Sequence, residues 1–304
     1  MAAASGLRPH AGAAAAHPSA APVPPSPAAA PQAAALARCA GTKPPVPGLA
    51  DIDWQAPWLA DWRARGEPLA QRIAAGAALH EVLNAAGQAP VRFVPHSALP
   101  VGVAYEAFIR DTAQVPTREG LHDFFNALCW MHFPRAKQQL NRLQAAEIAR
   151  DGVQGRRGPV RDAITVFDEN ALLIQAPDEV WQALTEHRWH TALVAQRARW
   201  AEVGLWTFGH AALEKLVRPY PGITVHLWRV PQRLGAGVGL QALDAWLAQD
   251  LQPAKLATKP FSPLPILGVP GWWAANAEPA FYADRTVFRP ARVARAGARA
   301  AGGA

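Results

Sequence analysis

At 304 residues, half of them apolar, the chain is long enough to bury the core of one large domain. Its formal charge of +7 invites a nucleic-acid partner, but three basic residues at each end, with no acid beside them, account for six of those charges. Residues 51 to 290 then carry +1, which argues against nucleic acid. The two cysteines, Cys39 and Cys129, exclude a disulfide framework and a zinc-ligand spacing, and they suit a reducing compartment. No apolar run approaches the roughly 18 residues of a membrane span, and the Ala- and Pro-rich start lacks the Leu-rich stretch of a signal peptide. The expectation is a cytoplasmic protein without membrane insertion.

In chain order, residues 1 to 48 hold almost no large apolar side chain and are expected to be a disordered tail, as are residues 291 to 304 with Arg292, Arg295 and Arg299. A single globular domain is expected over 49 to 290. Its first helix starts near Asp53, where Trp54, Trp58 and Trp62 recur every four residues. Pro68 to Asn84 reads as a second helix with Leu69, Ile73 and Ala77 facing inward. Val91 to Val94 is a strand or an extended segment, and Ala104 to Arg110 one or two helical turns. Thr117 is the expected N-cap of the next helix, since its hydroxyl can accept an unpaired amide.

In that helix Leu121, Phe124, Phe125 and Leu128 form an i, i+3, i+4, i+7 stripe, which leaves His122, Asp123 and Asn126 together on another face. Pro134 ends it and opens the next helix, whose apolar stripe of Ala136, Leu140 and Leu143 runs beside Lys137, Asn141 and Gln144. Ala163 to Phe167 and Ala171 to Gln175 read as two strands around an Asp168-Glu169-Asn170 turn. Helices are expected from Pro177, over Thr191 to Trp200, over Gly209 to Arg218 and over Leu240 to Leu251, with a strand at Ile223 to Val230. The Pro-, Gly- and aromatic-rich stretch from Pro253 to Pro290 reads as a wrapping extended segment. The fold class is therefore α+β, mainly helical, with a small antiparallel sheet or hairpin.

Three separated segments offer ligand-type residues. His122 and Asp123 lie within one helical turn; His210 and Glu214 are i, i+4 on another helix; Asp168 and Glu169 put oxygens at a turn. Such groups suit a divalent metal ion or general acid–base work, with His122, Asp123, His210 and Glu214 as catalytic candidates and His122, Asp123, Asp168, His210 and Glu214 as the metal set. Arg118, Asn126, Lys137, Asn141 and Arg161 are the candidates for binding an anionic small molecule, with Arg156 and Arg157 as further cations. A metalloprotease helix is excluded because no second histidine follows His210 at the required position. A GxSxG nucleophile turn and a phosphate-cradling glycine loop are also missing. Cys129, amid Phe, Leu and Trp, reads as a buried and inert thiol.

Several strings taken together are familiar. Val115-Pro116-Thr117-Arg118, Leu121-His122-Asp123-Phe124-Phe125-Asn126, Phe133-Pro134 with Lys137 and Leu140-Asn141, Arg157-Gly158 with Arg161-Asp162, and Thr165 with Phe167-Asp168-Glu169-Asn170 make up one half of the likeness. Phe208-Gly209-His210-Ala211 with Leu213-Glu214-Lys215, and Gly268-Val269-Pro270-Gly271-Trp272 followed by Asn276, Phe281-Tyr282 and Val287-Phe288-Arg289, make up the other. Over about residues 50 to 290 the chain resembles the bacterial family catalogued as domain of unknown function 3025. That resemblance implies no activity and transfers no catalytic role. The residues themselves favour a metal-assisted hydrolase acting on an anionic small substrate. The alternative is a non-enzymatic binding or scaffold protein in which the same polar groups form a buried network.

Overall fold

A computed structural model describes residues 46 to 152 and 158 to 291. The two tails, Cys39, Arg156 and Arg157 lie outside those residues. Val46, Leu49 and Ile52 are already buried in the core, upstream of the expected first helix. That helix, α1 (Ala60–Ala74), takes in Pro68, so the expected break at this proline is absent. The break comes instead at Gly76, whose φ of +100° is a conformation other residues rarely adopt, and α2 (Leu79–Ala85) follows. Trp54 and Trp58 precede α1 in tight turns and are buried with Trp62, whose indole N–H donates to Thr207 Oγ1 at 2.6 Å.

Strand β1 (Arg92–Pro95) pairs in parallel with β2 (Gln114–Thr117), and the crossover between them carries helix α3 (Tyr105–Thr112). Asn84, at the end of α2, holds β1 by donating to the Phe93 carbonyl and accepting from the Phe93 amide. Thr117 belongs to β2 and does not cap a helix; its hydroxyl donates to the Val115 carbonyl at 2.8 Å. Helix α4 (Leu121–His132) starts after Gly120, and the Asp123 carboxylate turns back to accept the Arg118 amide at 2.6 Å. Pro134 then opens α5 (Pro134–Asp151) as expected. The first amides of α5 are met from a distant helix, α9 (Leu240–Asp250), whose Asp244 accepts from Arg135 and Ala136.

The expected hairpin is replaced by a helix-to-strand joint. Helix α6 (Pro159–Asn170) runs straight into β3 (Ala171–Gln175). Val160, Ala163, Ile164 and Phe167 recur at i, i+3, i+4 and i+7 and are all buried, so the helical period wins over the short apolar run that suggested a strand. Asp168, Glu169 and Asn170 are thus the last turn of a helix. Every residue of β3 is buried, because it is central in a four-stranded mixed sheet of order β4-β3-β5-β6. Here β5 (Thr224–Arg229) runs parallel to β3, while β4 (Gly204–Thr207) and β6 (Ser262–Pro265) are antiparallel edges. The sheet is mixed where an antiparallel one was expected, and the class is α+β, mainly helical.

Helix α7 (Asp178–Thr185) and α8 (His210–Lys215) complete the frame of the sheet, with a wide helical turn and a 3-10 turn over 191 to 202 where one helix was expected. The stretch from Pro253 is more regular than expected, since it forms α10 (Pro253–Ala257) and β6 before its short turns. Asn276, almost fully buried, pins those turns by donating to the Leu267 and Val269 carbonyls.

Gly209 closes the joint that carries α8. A Cβ on it would stand 2.5 Å from backbone atoms of Glu169 and Asn170, and backbone cannot swing aside as a side chain can. Gly209→Ala is expected to lower unfolding free energy by about 1–3 kcal/mol, as overpacking does, read from urea denaturation curves.

Candidate functional site

Five helices, α3 among them with Tyr105 and Glu106, and one loop meet around a cleft of about 670 Å³. Helix α4 brings His122, Asp123 and Asn126; α5 brings Lys137, Asn141 and Gln144; α6 brings Arg161 and Asp168; α8 brings His210, and Arg118 stands at the rim. Each helix turns an apolar stripe to the core, so the polar residues a few positions away on its flank are left facing the same space. Nine of the sequence-predicted residues line this cleft. The tenth, Glu214, lies in an adjoining depression that it shares with Arg118, His122 and Asp123.

Within the cleft those residues fall into separate groups. The first is a chain of contacts along one wall. Glu214 Oε2 is 2.9 Å from His122 Nδ1, His122 Nε2 is 3.1 Å from His210 Nε2, and His210 Nδ1 is 2.7 Å from the Asp168 carbonyl oxygen. A carbonyl oxygen can only accept, so His210 donates from Nδ1, and the carboxylate of Glu214 likewise receives the Nδ1 proton of His122. Burial pushes the His210 imidazole down to about 4, although Asp168 pulls the other way, and the ring is neutral at pH 7. His122 and Glu214 are both half-exposed.

The second group is centred on Lys137, which is 4% exposed and therefore must be paired. Its Nζ donates to Asn126 Oδ1 at 2.9 Å and to Asp168 Oδ1 at 2.5 Å, and it lies 5.5 Å from the centre of the Trp130 ring. Burial pushes the Asp168 carboxyl up, but the neighbouring Lys137 ammonium and the His210 and His122 rings outweigh it and hold the group below its ordinary value.

The third group joins α3 to α5. Asn141 Nδ2 donates to the Glu106 carbonyl at 2.9 Å and to Glu106 Oε2 at 2.6 Å. Burial pushes the Glu106 carboxyl up toward its protonated form, against the opposing pull of that amide. Neighbouring Tyr105 is raised for the same reason. Near this end two buried polar atoms, Nε of Arg161 and Oε1 of Gln144, have no hydrogen-bond partner.

Asp123 does not join the histidines. Its carboxylate is committed to Arg118, accepting from the backbone amide, from Nε at 3.2 Å and from Nη2 at 3.3 Å. Among the described residues no three His, Cys, Asp or Glu side chains are disposed to hold a metal ion together. The five residues expected as a metal set therefore share a cleft without forming one shell. Cys129 is fully buried, its thiol donates to the Phe208 carbonyl, and burial pushes its pKa up. Its neighbour His132 stacks on Trp62 and is pushed down to about 3 by burial and by Arg65.

Tyr105, Glu106 and Trp130 are site residues that sequence reasoning did not single out. Glu106 has no local signal, because its partner Asn141 lies 35 residues away and the contact exists only once α3 packs on α5. Trp130 sits in the apolar run of α4, where an aromatic ring reads as core.

A family model described as a protein of unknown function, DUF3025, matches residues 91 to 292 and so spans the helices of the cleft. The chain belongs to the DUF3025 family. No curated protein and no solved structure gives a significant match. Among the described residues no helix is long and apolar enough to cross a membrane.

In this DUF3025 protein Lys137→Met leaves the Asp168 carboxylate without its cation, and such broken buried pairs cost about 3–5 kcal/mol. Urea unfolding is expected to show that loss, and adding Asp168→Asn in the same chain is expected to recover much of it. Equal and additive losses in the two variants would mean the pair is not coupled.

Proposed function

We propose that the cleft is the active site of a hydrolase for a small anionic molecule. The observation that supports this best is the Glu214–His122–His210 array, which runs along the wall of a cavity whose floor holds the buried Lys137–Asp168 pair. Titratable groups with shifted pKa values gathered in a concave pocket are what catalytic sites require and what packing alone seldom produces. Water is activated at the Nε2 side of the histidine pair. The anionic part of the substrate is held by the N–H of Lys137 that neither Asn126 nor Asp168 takes, and by Arg161.

The scaffold alternative requires a network in which every buried member is satisfied, because a partly satisfied one costs more than it contributes. The orphaned Arg161 Nε and Gln144 Oε1 speak against it. They lie just beneath the cleft wall, where a modest side-chain shift upon binding gives each a partner.

A panel of phosphate monoesters, phosphodiesters and small carboxylate esters tests this reading. At least one class is expected to raise the melting temperature and to be turned over. His122→Ala is expected to cut that turnover by about 10²–10⁴-fold, the usual worth of acid–base help, with little change in melting because the ring is half-exposed. A chain that neither binds nor turns over any member of the panel would leave the scaffold reading in place.

A further inference from the structure

We infer that Arg161 binds the carboxylate of an elongated aliphatic acid at the end of the cleft away from the histidines, an inference that rests on the hydrolase reading only for what happens at the histidine end. Arg161 is 8% exposed and lines the cleft from the first turn of α6. A guanidinium keeps its charge at any pH a protein meets, and burying it without a bonded anion is costly. Of the cations on the cleft wall, Arg118 is held by Asp123 and Lys137 by Asp168. Arg161 has no such partner among the described residues, and its buried Nε makes no hydrogen bond. Asp151 and Glu106 lie near enough to feel its charge, but Asp151 is bonded to Arg150 and Glu106 to Asn141. Burial also pushes Glu106 up, toward the form that offers Arg161 no charge.

Helix geometry sets how far this charge stands from the histidines. Helices α5 and α6 pack side by side and antiparallel: a Cβ on Gly158, just before α6, would lie 3.9 Å from Asp151 at the end of α5, while Asp168 in the last turn of α6 meets Lys137 in the first turn of α5. Arg161 and Asp168 are two turns apart on one face of α6, about 10 Å along its axis. Gln144, whose buried Oε1 is also unpaired, stands two turns beyond Lys137 on α5 and so at the level of Arg161. The histidines belong to the other level, since His210 bonds the Asp168 carbonyl. Between the two levels Leu140 and Ile164 face the cleft, with Ile109 of α3 and Trp130 of α4. Polar groups at that height are already engaged, Asn141 with Glu106 and the Thr165 hydroxyl with the Arg161 carbonyl. A ligand that fills the cleft therefore has a charged end, an apolar middle and a reacting end.

A single free positive charge selects a single negative one. A phosphate monoester carries roughly two charges at pH 7 and needs a second cation, which Lys137 and Arg118 do not supply while Asp168 and Asp123 hold them. Lys137 offers only a hydrogen bond, and it does so at the histidine end. The planar guanidinium fork matches the two oxygens of a carboxylate. Gln144 beside it can turn either end of its amide to the bound acid, accepting with the oxygen or donating with the nitrogen.

Sodium octanoate is titrated into the full chain by calorimetry, beside butanoate, octanol and inorganic phosphate. Octanoate is expected to saturate one site per chain, and each methylene lost toward butanoate to weaken binding about two- to fourfold, the worth of a buried CH₂. Octanol has the same chain without the charge and is expected to bind about 30-fold more weakly, with phosphate competing poorly. Arg161→Met is expected to weaken octanoate by about 30-fold or more, the range for removing one partner of a buried charge pair, and Arg161→Lys to keep part of the affinity. Without ligand, Arg161→Met is expected to melt no lower than the unaltered protein, because it removes a buried charge that has no bonded partner; an arginine with a purely structural role would leave a less stable protein. Absence of saturable octanoate binding overturns the inference. So does octanol or phosphate binding as tightly as octanoate, affinity unchanged in Arg161→Met, or a marked fall in the melting temperature of that variant. Octanoate held at Arg161 by a protein that turns over no ester keeps this site and loses the hydrolase reading; ester turnover by a protein indifferent to octanoate does the reverse.

Discussion

The ion pair between Lys137 and Asp168 is the contact on which the rest of the cleft depends. A lysine only 4% exposed is stable as a cation only beside a carboxylate, and Asp168 supplies it from the last turn of α6. That one residue also gives its backbone carbonyl to His210 Nδ1, so the position of α6 relative to α5 sets the orientation of the histidine on α8. Asn126 ties the same ammonium to α4. Three helices are thereby held at one point, and His122 and His210 meet a few ångströms away. Disturbing the pair would move the histidines as well as cost stability.

The sheet makes that arrangement rigid. Helix α6 ends where the fully buried strand β3 begins, so the C-terminal turn carrying Asp168 has a fixed floor beneath it. Gly209 lets the chain leaving β4 pass against the backbone of that same turn, and α8 then starts at His210. A buried parallel pair, β3 with β5, lies at the centre of the sheet, and short antiparallel strands close its sides. The solvent-facing groups of the site are therefore those at its rim, Arg118 and the half-exposed His122–Glu214 pair.

Much of this was legible in the chain because it depends on local periodicity. The stripes of α4 and α5 placed Phe124, Leu128 and Leu140 in the core, and by elimination left His122, Asn126, Lys137 and Asn141 on polar flanks. Where periodicity was short or competed with punctuation, the reading failed. Ala163 to Phe167 is too brief to separate a strand from a helix by its apolar residues, and the acidic Asp168-Glu169-Asn170 run resembled a turn. Pro68 resembled a helix start and lies within α1, where packing of Trp62, Leu69 and Ile73 outweighs the lost hydrogen bond. Asp123 was grouped with His122 as its sequence neighbour, yet adjacent positions on a helix point about 100° apart, and Asp123 turned to Arg118.

The sequence alone determined the residue types available for chemistry, the helices that carry most of them and the mainly helical α+β class, because composition and hydrophobic spacing act within a few residues of chain. Which of those residues touch was decided only by the tertiary structure. His122 and His210 are 88 positions apart, Glu106 and Asn141 are 35 apart, and Lys137 and Asp168 are 31 apart. No local pattern encodes such meetings. They follow from how five helices and a mixed sheet bury their apolar faces together, which leaves the polar flanks converging on one cleft.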